Sequence, residues 1–302
     1  MVIMNDCFQR VVIEEHSIIV GIAITTGACR HAQSLQNLAP LSTMAMGRML
    51  NAAALAGLLQ NRKGGLSLQM VGTGELGQIF ADVNDEGHLR GYVKNPSVGL
   101  PQDFNPKALT HTAVGDKMGS GEVSMIRMGL DNQFTQSTTL FHSGEIDQDI
   151  GECLQQSDQI PTKMHCSVIL NDHNVVEASA GIIVQGMPGT NLEAFHEICN
   201  ILSGGGFLKL LELFPADWKE IVHAVAPNAR LMNGNRELTW QCRCSREKFL
   251  GALKMFGPTD MADMIQKNES PEVVCDFCKK VYTIASEDVV KIYSETIVTS
   301  QN

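Results

Sequence analysis

The sequence is short of basic charge, of aromatic residues and of long apolar runs. Lys and Arg total 23 against 33 Asp and Glu, a formal net charge of −10. A surface of that sign repels phosphate backbones and argues against nucleic-acid binding. The longest apolar candidate, residues 41–60, is interrupted by Ser42, Thr43, Arg48 and Asn51, so it reads as a buried helix and not as a membrane span. The N-terminus carries Asp6, Glu14 and Glu15 and no basic-then-apolar pattern, so the expected compartment is the reducing cytoplasm. Histidines such as His16, His88, His111 and His165 lack metal-ligand spacing and read as structural or solvated. Aromatics are only 5%, yet hydrophobic residues reach 44% and charged residues 19%, an ordinary globular composition that excludes a largely disordered chain. At 302 residues the chain is too long for one simple core and predicts two or three folding units.

Cysteine, by contrast, is plentiful. Cys7, Cys29, Cys153, Cys166 and Cys199 are scattered and read as small buried hydrophobes. Cys242 and Cys244 form a C-x-C pair, and after thirty residues Cys275 and Cys278 form a C-x-x-C pair. A reducing compartment disfavours structural disulfides, so such clustering points to metal or redox chemistry. Four thiolates from two close pairs are what a tetrahedral zinc site needs, with one tight turn presenting each pair. The alternatives are chance clustering and an active-site dithiol at Cys275–Cys278. The dithiol reading leaves Cys242 and Cys244 without a role, and the sequence around the C-x-x-C shows neither a preceding strand nor a long helix directly after it.

Along the chain, residues 10–25 are rich in β-branched residues and predict one or two strands. Pro40 opens a long helix that stops at Lys63-Gly64-Gly65. Leu66, Leu68 and Met70 alternate with polar residues as in a half-buried strand, and strands come next around Phe80–Asp82 and Leu89–Val93, joined by a turn at Asn84–Gly87. Gly72, Gly74 and Gly77 match G-x-G-x-x-G, but strand and turn come after them where a dinucleotide site needs a helix, so these glycines read as turn formers. Further strands are expected at 122–128, 164–170 and 175–184. Residues 1–188 thus read as an N-terminal α+β core domain.

Met187-Pro188-Gly189 breaks the pattern, and residues 189–236 read as a helical connector. Leu192, Phe195, Cys199 and Leu202 form one apolar stripe, Gly204–Gly206 interrupts it, and Phe207–Phe214 stops at Pro215. Trp218, Ile221, Val222 and Val225 form another stripe, ended by Pro227. Helices this short are marginal alone and must dock on something. They are either a plain layer on the sheet or a metastable element whose docking can be switched. Residues 237–302 make a small C-terminal α+β unit whose thin core needs a staple. Within it a helix starts at Ser245, Glu272-Val-Val leads into the second cysteine pair, Val281-Tyr-Thr-Ile leaves it as a strand, and Ser286 N-caps a final helix.

The segment Cys242-Arg-Cys244-Ser-Arg-Glu-Lys, with the later Cys275-Asp-Phe-Cys278, resembles the redox module of the heat-shock protein 33 family of holdase chaperones. GLSLQMVGTGELG at 65–77, DEGHLRGYVKNP at 85–96 and VQGMPG at 184–189 are similar to that family's strands and domain end. The glycine run 204–206 departs from its pattern, and the five scattered cysteines lie outside its motif. The resemblance implies zinc ligation by Cys242, Cys244, Cys275 and Cys278 in the reduced, inactive state. It implies disulfides Cys242–Cys244 and Cys275–Cys278 on oxidation, zinc release, binding of unfolded client proteins under oxidative stress, and a homodimer in the oxidised form. It implies no catalytic turnover, no nucleic-acid partner and no membrane partner.

The chemistry is consistent with that implication. Zinc keeps thiols ionised at neutral pH, and thiolates are what peroxide attacks. Arg243, Arg246, Lys279 and Lys280 flank the cysteines and either offset the charge of a four-thiolate zinc complex or are simply solvated. Two other classes stay open: a zinc-ribbon nucleic-acid binder, disfavoured by the charge, and a thiol oxidoreductase or zinc enzyme, disfavoured because four cysteines fill the coordination shell.

Overall fold

The computed structural model describes residues 5–60, 63–101, 113–129, 133–215, 217–253, 255–267 and 270–300. The fold is α+β, in two compact units, residues 1–241 and 242–302. The first contains β1 (Cys7–Ile13), a 3₁₀ turn at Glu14–His16, β2 (Ile18–Ile24), α1 (Thr26–Gln36), α2 (Pro40–Leu58), β3 (Gly65–Gly72), β4 (Gln78–Asn84), β5 (His88–Val93), α3 (Ala113–Met118), β6 (Gly121–Met128), β7 (Phe134–Leu140) and α4 (Ile146–Asp158). It continues with β8 (Thr162–Leu170), β9 (Val176–Gly186), α5 (Leu192–Leu202), α6 (Gly206–Leu213), α7 (Trp218–Val225), β10 (Arg230–Leu231), β11 (Arg236–Glu237) and β12 (Thr239–Trp240). The second holds α8 (Arg246–Leu253), α9 (Pro258–Gln266), β13 (Glu272–Val274), β14 (Val281–Thr283) and α10 (Ser286–Ser300).

Two six-stranded sheets organise the first unit. One runs β10-β1-β2-β9-β8, with β11 also on β1, and the other runs β12-β5-β4-β3-β6-β7. Between them lies α2, which touches β3, β4 and β5 of one sheet and β2, β8 and β9 of the other. Pro40 occupies its first turn, where its missing N–H costs nothing. Every residue from Leu41 to Ala56 is buried, as a helix apolar on all sides must be. Close packing demands small residues here: a Cβ on Gly47 would lie 2.6 Å from both Cys29 Sγ and Val168 Cγ2, and one on Gly57 would lie 2.3 Å from Val83 Cγ1.

The polar residues that argue against a membrane span are the ones this helix buries with partners. Asn51 accepts a hydrogen bond from Thr25 Oγ1 at 2.8 Å and donates to Ser179 Oγ at 3.0 Å. Arg48 is ion-paired with both Glu145 and Asp147 at the start of α4. Among the described residues, no helix is long and apolar enough to cross a membrane. The G-x-G-x-x-G glycines are turn formers leading into β4, and Gly72 and Gly74 pass so close to the backbone of Met118 and Lys117 that a Cβ would sit 2.1 and 2.3 Å from their carbonyl oxygens.

The outer face of the first sheet is covered by α5, α6 and α7. Phe195, Cys199 and Leu202 of α5, Phe207 and Leu211 of α6 and Ile221, Val222 and Val225 of α7 form one apolar cluster with Val20, Ile22, Ile24, Ala180, Ile182 and Val184. Asn191 and Asp217 cap α5 and α7 through their side chains. The stripe expected to begin at Leu192 in fact begins at Phe195, since Leu192 is 54% exposed. By contacts, residues 189–241 belong to the first unit. The boundary therefore falls after Gln241 and not before Glu237, because β11 pairs with β1 and β12 pairs in parallel with β5. This strap is well held: Leu238 is buried, Arg236 Nε donates to Asp85 O at 2.7 Å, and Trp240 packs on His31 at 5.7 Å. At the far end, the Ala285 carbonyl accepts from the amides of Asp288 and Val289, so Ser286 is the first helical residue of α10 and not its cap.

Replacing Arg48 by Met should leave two buried carboxylates uncompensated and cost about 3–5 kcal/mol, a fall in melting temperature on the order of 10 °C; an unchanged melting curve would contradict this. Burial pushes the His165 imidazole below its ordinary value, with Asp147 opposing and Lys163 and Arg48 assisting the shift. The unfolded chain thus holds the proton more readily, so stability is full above the ordinary histidine pKa of about 6.5 and declines as pH falls below it. The acid-side decline in melting temperature should become shallower in His165→Asn.

Candidate metal centre

The second unit has little apolar core of its own. Leu253, Met261, Ile284, Val289 and Ile292 make up its buried cluster, with Phe249, Leu250 and Tyr293 among those packed against it. Its ordering elements are the β13–β14 hairpin and the extended segment just after Gln241. The hairpin pairs Val273 with Tyr282 and Val274 with Val281. Its turn is closed by Cys275 N donating to Lys280 O at 3.0 Å and Lys279 N donating to Cys275 O at 2.8 Å. Lys279 takes the left-handed conformation, φ 56°, which reverses the chain just past Cys278. A strand, β13, does precede the C-x-x-C pair, contrary to the expectation from sequence; directly after the pair the chain enters β14, a second strand and no helix.

These turns bring together the four cysteines that the sequence singles out. Their Sγ atoms all lie within 4.8 Å of one another, and among the described residues this is the one group of three or more potential ligands so placed. Cys242 and Cys275 sulfurs are 3.7 Å apart, and those of Cys244 and Cys278 are 3.5 Å apart. Zn–S bonds of about 2.3 Å in a tetrahedron require sulfur–sulfur edges of about 3.8 Å, so the donor set fits zinc in number, chemistry and spacing. Cys275 is buried, whereas Cys242, Cys244 and Cys278 are half-buried and open to small solutes.

Tyr282, which belongs to no motif visible in the sequence, closes the site. Its Oη lies 3.1 Å from Cys244 Sγ, its ring packs on Phe249 at 4.9 Å, and Lys280 Nζ sits 5.0 Å over its face. The only sequence signal for it is its place four residues beyond Cys278. Partial burial raises the Cys244 thiol, but hydrogen bonds from Tyr282 and the other three cysteines outweigh it and bring the group down to about 7. Burial drives Cys242 up to about 12. Of the flanking cations, Arg246 is ion-paired with Asp288, and Lys248 Nζ donates to the Arg243 carbonyl at 2.6 Å.

The scattered cysteines are different. Cys29, Cys153, Cys166 and Cys199 are buried and Cys7 is half-buried. Burial raises all five thiols, Cys7 and Cys199 to about 11 and Cys29 to about 12, which keeps them protonated and unreactive. His16 and His88 sit beside Glu15 and Glu86, and His165 lies on β8; His111 is outside the described residues.

A large α+β unit succeeded by a small one with four convergent cysteines defines a two-unit protein whose sulfurs could hold a metal ion. The family model described as Hsp33 protein matches residues 6–285, and the chain belongs to that family. A 33 kDa chaperonin of Synechococcus sp. (strain JA-3-3Ab) is 32% identical over 290 residues, covering 92% of this chain and 86% of the relative. The 33 kDa chaperonin of Thermus thermophilus is 33% identical over 294 residues, covering 91% of this chain and 83% of its own. The crystal structure of a 33 kDa chaperonin from Thermotoga maritima shares the fold with a TM-score of 0.80 at 23% identity, over 98% of this chain and 99% of that one.

Because Lys279 is in the left-handed region, Lys279→Val should destabilise the second unit by about 1–2 kcal/mol while Lys279→Gly should not. Limited proteolysis of residues 242–302 reads this directly, and equal behaviour of the two variants would refute it.

Proposed function

We propose that this protein is a redox-regulated holdase chaperone, inactive when its four sulfurs hold zinc and active when they are oxidised. The observation that carries this reading is the gathering of four sulfurs, one buried and three half-buried, in a unit with only a thin core. Cys242, Cys244, Cys275 and Cys278 would hold the ion, and zinc when bound keeps the sulfurs as thiolates. Structural zinc contributes on the order of 10 kcal/mol to a small domain, comparable to the whole net stability of about 5–15 kcal/mol of most domains.

Peroxide takes two electrons from each cysteine pair. One thiolate attacks it to give a sulfenic acid and hydroxide, and the partner thiolate displaces a second hydroxide to close the disulfide; two protons from solvent complete two waters. With its sulfurs joined, the chain no longer offers thiolate ligands, and the second unit loses its main staple. The pairing Cys242–Cys244 and Cys275–Cys278 rests on the family resemblance.

The apolar surface for clients is supported by the first unit. Residues 189–236 supply the metastable connector in this proposal: α5, α6 and α7 are short, cut by Gly204–Gly206 and Pro215, and cover a sheet face lined by Val20, Ile22, Ile24, Ile182 and Val184. Helices this short depend on docking. Their release uncovers a broad apolar face of the sort that captures unfolding chains, and the net charge of −10 keeps the complex soluble. The protein acts in the cytoplasm on unfolded polypeptides and has no catalytic turnover.

Reduced protein should contain one zinc per chain. Peroxide with mild heat should release it, remove four thiols and suppress light scattering by an unfolding client. Metal retained and aggregation unchanged would sink the reading. Peptide mapping should show the two within-pair disulfides; the crossed pairs Cys242–Cys275 and Cys244–Cys278 would overturn that assignment alone. Turnover in insulin reduction would favour the oxidoreductase class instead. Cys275→Ser should lower zinc affinity by orders of magnitude and leave residues 242–302 protease-sensitive without oxidant.

A further inference from the structure

The four sulfurs are alike in chemistry and spacing but not in what surrounds them. Cys275 is buried, whereas Cys242, Cys244 and Cys278 are all half-buried. Exposure therefore sets Cys275 apart and ranks none of the other three ahead of the rest. Hydrogen bonding does. Among the described residues, Tyr282 makes the one side-chain hydrogen bond that reaches the four sulfurs from outside the set, with Oη 3.1 Å from Cys244 Sγ. A zinc-bound thiolate has no proton to give, so in the loaded site the hydroxyl donates and the sulfur accepts.

That donor is held in place from three directions. Tyr282 stands in β14 opposite Val273 of β13, which fixes its backbone. Its ring packs on Phe249 of α8, with centroids 4.9 Å apart at an angle of 44°. Lys280 Nζ lies 5.0 Å over the ring face. A cation over the face is attracted to the ring's electron density and draws on it, which makes the phenol O–H a stronger donor. Lys280 thus acts on the centre through Tyr282, while Arg246 is occupied by its ion pair with Asp288.

We infer that Tyr282 is the positioning residue that shields Cys244, so that electrophiles attack Cys242 or Cys278 first and the site keeps its metal until they do. The inference rests on the zinc reading of the four cysteines and deepens it. In the peroxide step a sulfur lone pair forms the S–O bond as the O–O bond breaks, and the departing hydroxide takes a proton from solvent. All four sulfurs are already ionised in the loaded site, so stabilising the anion at Cys244 only lowers its nucleophilicity. The hydroxyl also occupies one line of approach to that sulfur. For the metal the same bond works the other way, since it offsets part of the double negative charge of four thiolates around one divalent ion. Groups that hydrogen-bond a metal ligand are commonly worth about 10–100-fold in metal affinity.

The test uses the reduced, zinc-loaded full chain and iodoacetamide, an electrophile that is not an oxidant, so its result does not depend on the chaperone reading. The attack is of the same kind: the S–C bond forms as the C–I bond breaks and iodide leaves. With less than one equivalent of reagent, peptide mapping shows which sulfur reacts first, and competition with a chromophoric chelator gives zinc affinity. In the wild type Cys244 should be the least alkylated of the three half-buried sulfurs. Tyr282→Phe keeps the ring and the strand pairing and removes only the hydroxyl. Alkylation of Cys244 should then rise by about tenfold relative to Cys242 and Cys278, and zinc affinity should fall by about tenfold. Lys280→Gln, at an exposed position, should move both readings in the same direction by less. Tyr282→Leu removes ring and hydroxyl together, so a role in packing alone would show in the Leu variant and not in the Phe variant. That pattern, a Phe variant in which all four sulfurs rise together as in a loosened unit, or a wild type whose Cys244 reacts first would each overturn the inference and leave the zinc reading standing. A wild type that takes up no zinc would overturn the zinc reading, and this inference with it.

Discussion

The constraint that sets this molecule's small unit apart is the convergence of four sulfur atoms, all within 4.8 Å of one another, beside a thin apolar core. Among the described residues, the second unit's buried apolar cluster is Leu253, Met261, Ile284, Val289 and Ile292. A core of that size leaves little net stability once chain entropy is charged against it. The C-x-C segment meets the β13–β14 turn at those sulfurs, with Cys242 and Cys275 Sγ 3.7 Å apart and Cys244 and Cys278 Sγ 3.5 Å apart. Of those four sulfurs, Cys275 is buried and Cys242, Cys244 and Cys278 are half-buried.

The first unit shows the contrast. Its central helix is buried on every side between two sheets, with Arg48 and Asn51 held by buried partners, and nothing in that arrangement is open to a small oxidant. Its five other cysteines are kept inert by burial. Among the second unit's cysteines it is Cys244 whose thiol is drawn down, to about 7, with the Tyr282 hydroxyl 3.1 Å from its sulfur.

Much of this could be read from residue order. The alternation at Leu66, Leu68 and Met70 marks β3, the stripes at Phe195–Leu202 and Trp218–Val225 mark α5 and α7, and the cysteine spacing marks the centre. What could not be read has a common cause. At the start of α4, Glu145 and Asp147 are explained by Arg48, about a hundred residues away in sequence. Strand β7 has no buried face strong enough to give a hydrophobic alternation. α1 is capped by the carboxylate of Asp6, which accepts from Gly27 and Ala28 amides, and not by its own neighbour. Likewise, Glu237 looks like the start of a new unit because local sequence cannot show that β11 and β12 are claimed by strands near the N-terminus and at β5. Tyr282 was invisible for the same reason: its partner is 38 residues upstream.

Along the chain, the strap formed by β11, Leu238 and β12 stands between the sulfur centre and the three short helices. It is a few residues long, yet Gly87 must lack a side chain to let it pass, since a Cβ there would lie 2.2 Å from the Glu237 carbonyl oxygen. Unravelling that begins in the tail meets this clamp before it can reach α7. The order of residues 242–302 and that of α7 are thus separated along the chain by paired strands, which moor the tail at Gln241 whatever happens beyond it.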